Sequence, residues 1–165
     1  MQTHLRGVRF IKMAFLLMIA AVAVAGCAER TVTFRGDKVT QQNYMIPLKE
    51  GNQQGEWKTN EVAIKFQYRM TPETLKIDGT VGLVGGFDIG FNYINNFAVN
   101  LLFVDDQGNV IGSTLVYAGD NNLSIPIPMR FGSTIPIPGG AQQISFSYRG
   151  ELSGDSTYSI WFSPP

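Results

Sequence analysis

After residue 30 the chain repeatedly alternates apolar and polar side chains, and no stretch carries an apolar stripe at helical spacing. Thr31 to Arg35 reads as a short first strand. Residues 36–56 are polar and irregular, with Met45-Ile46-Pro47-Leu48 the piece expected to be buried. Val62, Ile64, Phe66 and Tyr68 then alternate with Ala63, Lys65, Gln67 and Arg69, which predicts a half-buried strand. Thr71-Pro72-Glu73 is a turn. Leu75, Ile77, Val81 and Leu83 give the next strand, with Gly79 on their face and Lys76, Asp78 and Thr80 opposite. Phe97, Val99, Leu101 and Phe103 form a further strand, and Val110 to Tyr117 its partner. They are joined by the hairpin loop Asp105-Asp106-Gln107-Gly108-Asn109, with glycine for a positive-φ position. Ile144, Phe146 and Tyr148 make a late strand, and Tyr158, Ile160 and Phe162 close the domain. Six to eight short, mostly antiparallel strands separated by turn signals predict an all-β fold, an immunoglobulin-like β-sandwich, with a closed barrel as the alternative.

Two segments break the alternation. Ser124-Ile125-Pro126-Ile127-Pro128 recurs ten residues on as Thr134-Ile135-Pro136-Ile137-Pro138. Each proline removes a backbone donor, so both segments are expected to be edge strands or extended connections. Such edges are either protected against a partner strand or await one. The second segment is 85–96, in which Phe87, Ile89, Phe91 and Tyr93 alternate among glycines and asparagines. Glycine on both sides suits a protruding loop.

The first 27 residues differ in character. Arg6, Arg9 and Lys12 make a cationic region, followed by the uncharged apolar run Met13 to Ala25 and then Gly26-Cys27. Thirteen residues in a helix reach about 20 Å, short of the roughly 30 Å hydrocarbon core of a bilayer. That length fits a signal-peptide helix; an uncleaved anchor and an ordinary secretory signal are the other readings. Val24-Ala25-Gly26-Cys27 resembles the bacterial lipobox. The resemblance implies cleavage before Cys27, diacylglycerol on its thiol and acylation of the new amino terminus. Two or three acyl chains make a lasting anchor where one would not. Ala28 follows the cysteine in place of Asp, which by resemblance to Gram-negative sorting implies the outer membrane, periplasmic face. The expected organisation is a signal peptide over 1–26, a lipidated Cys27 with a short tether over 27–30, and one sandwich domain over 31–165.

Charge and composition narrow the chemistry. Lys+Arg and Asp+Glu are 13 each, and zero net charge argues against nucleic acid as a partner. Loss of residues 1–26 removes three cations and the lone histidine, His4, leaving 10 Lys+Arg against 13 Asp+Glu, a net of −3. A chain with no histidine, and with its one cysteine occupied by lipid, has no Ser-His-Asp triad, Cys-His nucleophile or His-ligated metal. Asp105 and Asp106 beside Gly108 and Asn109 are only fragments of a calcium loop, and a hairpin turn explains them. No metal and no cofactor is therefore expected. Among 13 carboxylates nothing selects a glycosidase pair.

Ile77-Asp78-Gly79-Thr80-Val81, Phe97 to Val104 running into Asp105-Asp106-Gln107-Gly108-Asn109-Val110, and Ile144-Ser145-Phe146-Ser147-Tyr148 together resemble the FxLYD-type Ig-like domains of bacterial lipoproteins. The resemblance covers residues 60–150, departs at the Gly/Phe insertion and the doubled I-P-I-P, and brings no catalytic residue. It implies an envelope lipoprotein of no defined activity.

The aromatics supply the candidate sites. Phe87, Ile89, Phe91 and Tyr93 are candidates for binding another envelope protein. Trp57 and Trp161 are the alternative, as stacking platforms for sugar rings. The expectation is a non-enzymatic envelope protein, held at the membrane through the lipid on Cys27, that acts as a structural or protein-interaction module or else binds carbohydrate.

Overall fold

The computed structural model describes residues 34–163 other than 88 and 126. Cys27, the signal segment and the first three residues of the expected strand 31–35 lie outside the described residues; Phe34 and Arg35 are not in a strand. The described strands are β1 (Ile46–Pro47), β2 (Gly51–Lys58), β3 (Val62–Met70), β4 (Thr74–Leu83), β5 (Tyr93–Val104), β6 (Val110–Asn122), β7 (Met129–Pro136), β8 (Gln143–Ser153) and β9 (Thr157–Phe162). They form two antiparallel sheets packed face to face. One runs β2-β3-β4-β7; the other runs β1-β8-β5-β6, with β9 also on β8. The fold is an all-β sandwich. Its β4–β7 and β5–β8 pairs join strands distant in sequence, while the chain crosses between sheets from β4 to β5 and from β7 to β8. This is the connectivity of the central B–E and C–F strand pairs of immunoglobulin-like sandwiches, with β9 in the place of G. β6 stays beside β5.

The alternating apolar positions form the core as their period requires. Val62, Ile64, Phe66 and Tyr68 of β3, Leu75, Ile77 and Val81 of β4, Val99, Leu101 and Phe103 of β5, and Ile144, Phe146 and Tyr148 of β8 are all buried between the sheets. Two features depart from plain alternation. Leu102 and Val104 on the opposite face of β5 are also buried, because the entering chain lays Phe34 and Val39 over them. That same outward face carries Ser145 and Ser147, buried hydroxyls with no hydrogen-bond partner among the described residues. Ile94 and Phe97, three residues apart, both face the core. A bulge between them resets the pleat on both neighbouring strands. Asn96 takes the left-handed conformation there, φ 50°, and its N–H donates to Asp120 Oδ1 at 2.6 Å.

One strand corrects the sequence reading, and the I-P-I-P segments divide between the two placements expected of them. Residues 51–56, expected to be irregular, form with Trp57 and Lys58 the strand β2, an edge strand whose one buried side chain is Trp57. Pairing along β3 holds it despite its polar composition. The second I-P-I-P segment enters β7 and leaves it at Pro136, on the edge of the four-stranded sheet, whereas the first lies between β6 and β7.

Large rings are accommodated over glycines. Phe66 lies between Gly55 of β2 and Gly79 of β4, and Phe131 of β7 lies on the other side of Gly79. A Cβ on Gly79 would stand 2.5 Å from the Phe131 ring and 2.8 Å from the Lys65 carbonyl oxygen. One on Gly82, in the same strand, would meet nothing within 4 Å. Gly79→Ala is therefore expected to cost about 1–3 kcal/mol by overpacking. Gly82→Ala should be neutral or stabilise by less than about 1 kcal/mol. Denaturant midpoints of the two variants check the contrast.

Candidate interaction surface

The strands separate two ends. Loops 71–73, 105–109 and 137–142 lie at one. The chain enters the domain there, since Gly36 N–H donates to the Val110 carbonyl (3.1 Å) and Val39 N–H to the Gly108 carbonyl (2.8 Å). Loops 59–61, 84–92, 123–128 and 154–156 lie at the other end. These last are stitched to one another: Val84 N–H donates to the Glu61 carbonyl, Asn92 N–H to Ser153 and Leu123 N–H to Asn92.

Loop 84–92 is built from its glycines and phenylalanines. Gly85 and Gly86 have φ of 70° and 88°, and Gly85 lies against the Asn60 carbonyl, where a side chain has no room. Phe87 and Phe91 stack at 6.3 Å, and Tyr158 lies 5.3 Å from Phe87 and 6.4 Å from Phe91. Both phenylalanines are partly buried against the core. Ile89, between them at the loop apex, is 86% exposed, and Tyr93 is 49% exposed. The four residues singled out by sequence thus divide: Phe87 and Phe91 hold the loop to the domain, while Ile89 and Tyr93 face solvent. Sequence reasoning gave Ile125 and Ile127 only as part of an edge protected against or awaiting a partner strand, and gave Tyr158 as a closing-strand residue; all three are exposed at the same end. The signal for the first two was the I-P-I-P composition, since a segment that cannot donate to a ladder leaves its apolar side chains outside the sheets. Leu83, Leu123, Ile125, Ile127 and Pro128 line a shallow groove of about 300 Å³.

A polar network braces this end. Tyr148 donates to Glu61 Oε2 at 2.8 Å and lies 2.8 Å from Thr59 Oγ1; Tyr158 donates to Glu61 Oε1 at 3.4 Å. Thr59 Oγ1 in turn accepts the N–H groups of Glu61 and Val62. The β2–β3 turn of one sheet is thereby tied to β8 and β9 of the other. Burial pushes the Tyr148 phenol well above its ordinary range, and the neighbouring Glu61 carboxylate adds to the effect.

The tryptophans have different fates. Trp57 is a correction to the sequence reading: it is buried, packed among Tyr44, Phe146, Tyr148 and Phe162, with its indole N–H donating to the Tyr44 carbonyl at 3.2 Å. It presents no face to a ligand. Trp161 is 71% exposed on the outer face of the five-stranded sheet, opposite Arg149. Tyr93 lies two strands across and four residues along, about 16 Å away by sheet spacing, so the two do not form one platform. Asp105 is a turn residue. Its carboxylate accepts the Asn109 side-chain amide and the N–H groups of Asn109 and Gln107 at 2.8–2.9 Å, and these bonds hold it below the usual carboxylate range. Among the described residues no group of three or more His, Cys, Asp or Glu could hold a metal, and no helix is long and apolar enough to cross a membrane.

No family model, curated protein or solved structure matches this chain.

Tyr148→Phe leaves the buried Thr59 hydroxyl and Glu61 without their shared partner, an expected cost of about 1–3 kcal/mol. The phenol is neutral in the folded protein above the pH at which an unfolded tyrosine ionises. Its contribution is thus fully present below about pH 10 and falls as pH rises above that. Chemical denaturation of both proteins across the alkaline range should show a smaller decline for Tyr148→Phe.

Proposed function

We propose that this protein is a lipid-anchored module of the bacterial cell envelope that acts by binding a partner protein, without catalysis. The observation that supports this best is the distribution of exposed apolar side chains. Of the seven large hydrophobic residues exposed among the described residues, Ile89, Tyr93, Ile125, Ile127 and Tyr158 lie on the stitched loop end, opposite the end where the chain enters. A clustered apolar surface on braced loops is the usual mark of a contact site. The anchor rests on the lipobox-like Val24-Ala25-Gly26-Cys27, and in a Gram-negative host Ala28 after the cysteine favours the outer membrane, periplasmic face.

Trp161 supports carbohydrate binding as a second reading, because it alone offers a wide ring face with a guanidinium, Arg149, on the adjoining strand.

Three measurements test these readings. An intact mass of the membrane-extracted protein should correspond to cleavage before Cys27 plus two or three acyl chains, and Cys27→Ser should lose it; an unmodified soluble mass would remove the anchor. Ile89→Ser with Tyr93→Ser leaves Phe87 and Phe91 in place, so the variant should fold yet release proteins that co-purify with the wild type. Unchanged partners would retire the loop. A glycan array that includes peptidoglycan fragments, blank for the wild type or insensitive to Trp161→Ala, would dismiss the carbohydrate reading.

A further inference from the structure

We infer that the outer face of the four-stranded sheet is a binding site for an acidic polysaccharide in which charged sugars alternate with neutral ones. This face is separate from the loop end, and the inference does not depend on what that end binds. The side chains that β2, β3, β4 and β7 turn away from the core are mostly charged groups, amides and hydroxyls. Five cations, Lys58, Lys65, Arg69, Lys76 and Arg130, stand there against two carboxylates, Glu56 and Asp78. None of the large hydrophobic residues exposed among the described residues belongs to these strands.

The register arranges these groups in rows across the sheet. Arg69 and Lys76 stand directly opposite one another, flanked by Asn52 and Thr134. The next row is Gln54, Gln67, Asp78 and Gly132, and the one after it is Glu56, Lys65, Thr80 and Arg130. Neighbouring rows are two residues apart along the strands, about 7 Å, so the two cationic rows are about 14 Å apart with hydrogen-bonding groups between them. Gly132 leaves room for the Asp78 carboxylate, since a Cβ there would stand 2.8 Å from Asp78 Oδ1. Gln54, Lys65, Gln67, Asp78, Thr80 and Arg130 line an open depression of about 650 Å³.

The pattern selects the ligand. Like charges directly opposite one another destabilise a sheet, and the row of Arg69 and Lys76 has no carboxylate to relieve them. Arg130 faces Thr80 rather than an acid, and only Lys65 has one opposite it, Glu56. An anion is therefore favoured at each cationic row. In the middle row Asp78 accepts hydrogen bonds and repels anions, while the two glutamines both donate and accept. A chain that meets all three rows carries an anion, then hydroxyls, then an anion, and an acidic polysaccharide with charge on alternate sugars has that order. Nucleic acid, with a phosphate at every nucleotide, and an anionic bilayer both set negative charge against Asp78. Protein interfaces are centred on apolar and aromatic anchors, which this face lacks.

The test is isothermal titration of the full chain, in neutral detergent, with a hyaluronate oligosaccharide, whose carboxylates occur on every second sugar. Binding is expected at low salt and should weaken as salt rises, and uncharged dextran should not bind. Arg69→Gln with Arg130→Gln should lower the affinity about tenfold. Asp78→Ala should also lower it, by roughly threefold to tenfold, because a lost acceptor for sugar hydroxyls outweighs the lost repulsion. Trp161→Ala, on the other sheet, should leave it unchanged. No binding at low salt, or binding that survives Arg69→Gln with Arg130→Gln, would overturn the site. Tighter binding by Asp78→Ala, or equal binding of oligothymidylate or of phosphatidylglycerol vesicles, would overturn the polysaccharide assignment and leave an unselective cationic surface. Loss of binding in Trp161→Ala would overturn it in favour of the five-stranded sheet. Unchanged thermal melts of the variants keep each outcome separate from a loss of folding.

Discussion

The sandwich closes because its largest rings lie over glycines. Phe131 fills the space above Gly79, Phe66 covers Gly55, and Phe97 covers Gly150, where a Cβ would stand 2.8 Å from the ring. Sheets packed face to face leave about 10 Å for side chains, and a phenylalanine opposite another large residue overfills that gap. Removal of one partner's Cβ lets Phe66, Phe131, Phe146 and Trp57 mesh as a single aromatic layer. The strands of both sheets deliver their loops to two separate ends.

That separation gives the ends different physical characters. At the entry end, hydrogen bonds from the incoming chain close the β5–β6 hairpin, and Phe34 and Val39 cover the outward side of Leu102 and Val104. Loops 71–73 and 105–109 there are polar, and Ile137 and Ala141 of loop 137–142 pack against the core. At the other end Tyr148 and Glu61 lock the sheets together, and Phe87, Phe91 and Tyr158 pin the long loop. The apolar residues that remain, Ile89, Ile125 and Ile127, have no interior left to enter. Bracing beneath an exposed apolar surface keeps the ordering cost of binding low, since the loop is already held.

The two tryptophans show how the same residue type acquires opposite roles. Trp57 stands on β2 with the core-facing register, and its N–H finds the Tyr44 carbonyl, so it is structural. Trp161 stands one residue out of phase with the core-facing Ile160 and Phe162, and it projects from the outer face. A one-residue change of phase in a strand moves a side chain from interior to surface.

Local periodicity alone determined the all-β class, the course of β3, β4, β5, β8 and β9, and the Asp105–Asn109 hairpin, because alternation and turn chemistry act between neighbours in sequence. The same local reading marked 85–96 as a protruding loop, but Tyr93 to Asn96 belong to β5 and the loop is 84–92. It did not show β2, whose polar residues are strand only through pairing with β3, nor the bulge at Asn96, which depends on Asp120 across the hairpin. It also left the two I-P-I-P segments alike, though one enters β7 and the other joins the apolar loop end. That Phe87 and Phe91 turn toward the domain depends on Tyr158, more than sixty residues away in the chain. Contacts between residues so distant follow from how the sheets close, and that closure is a property of the whole core rather than of any one segment.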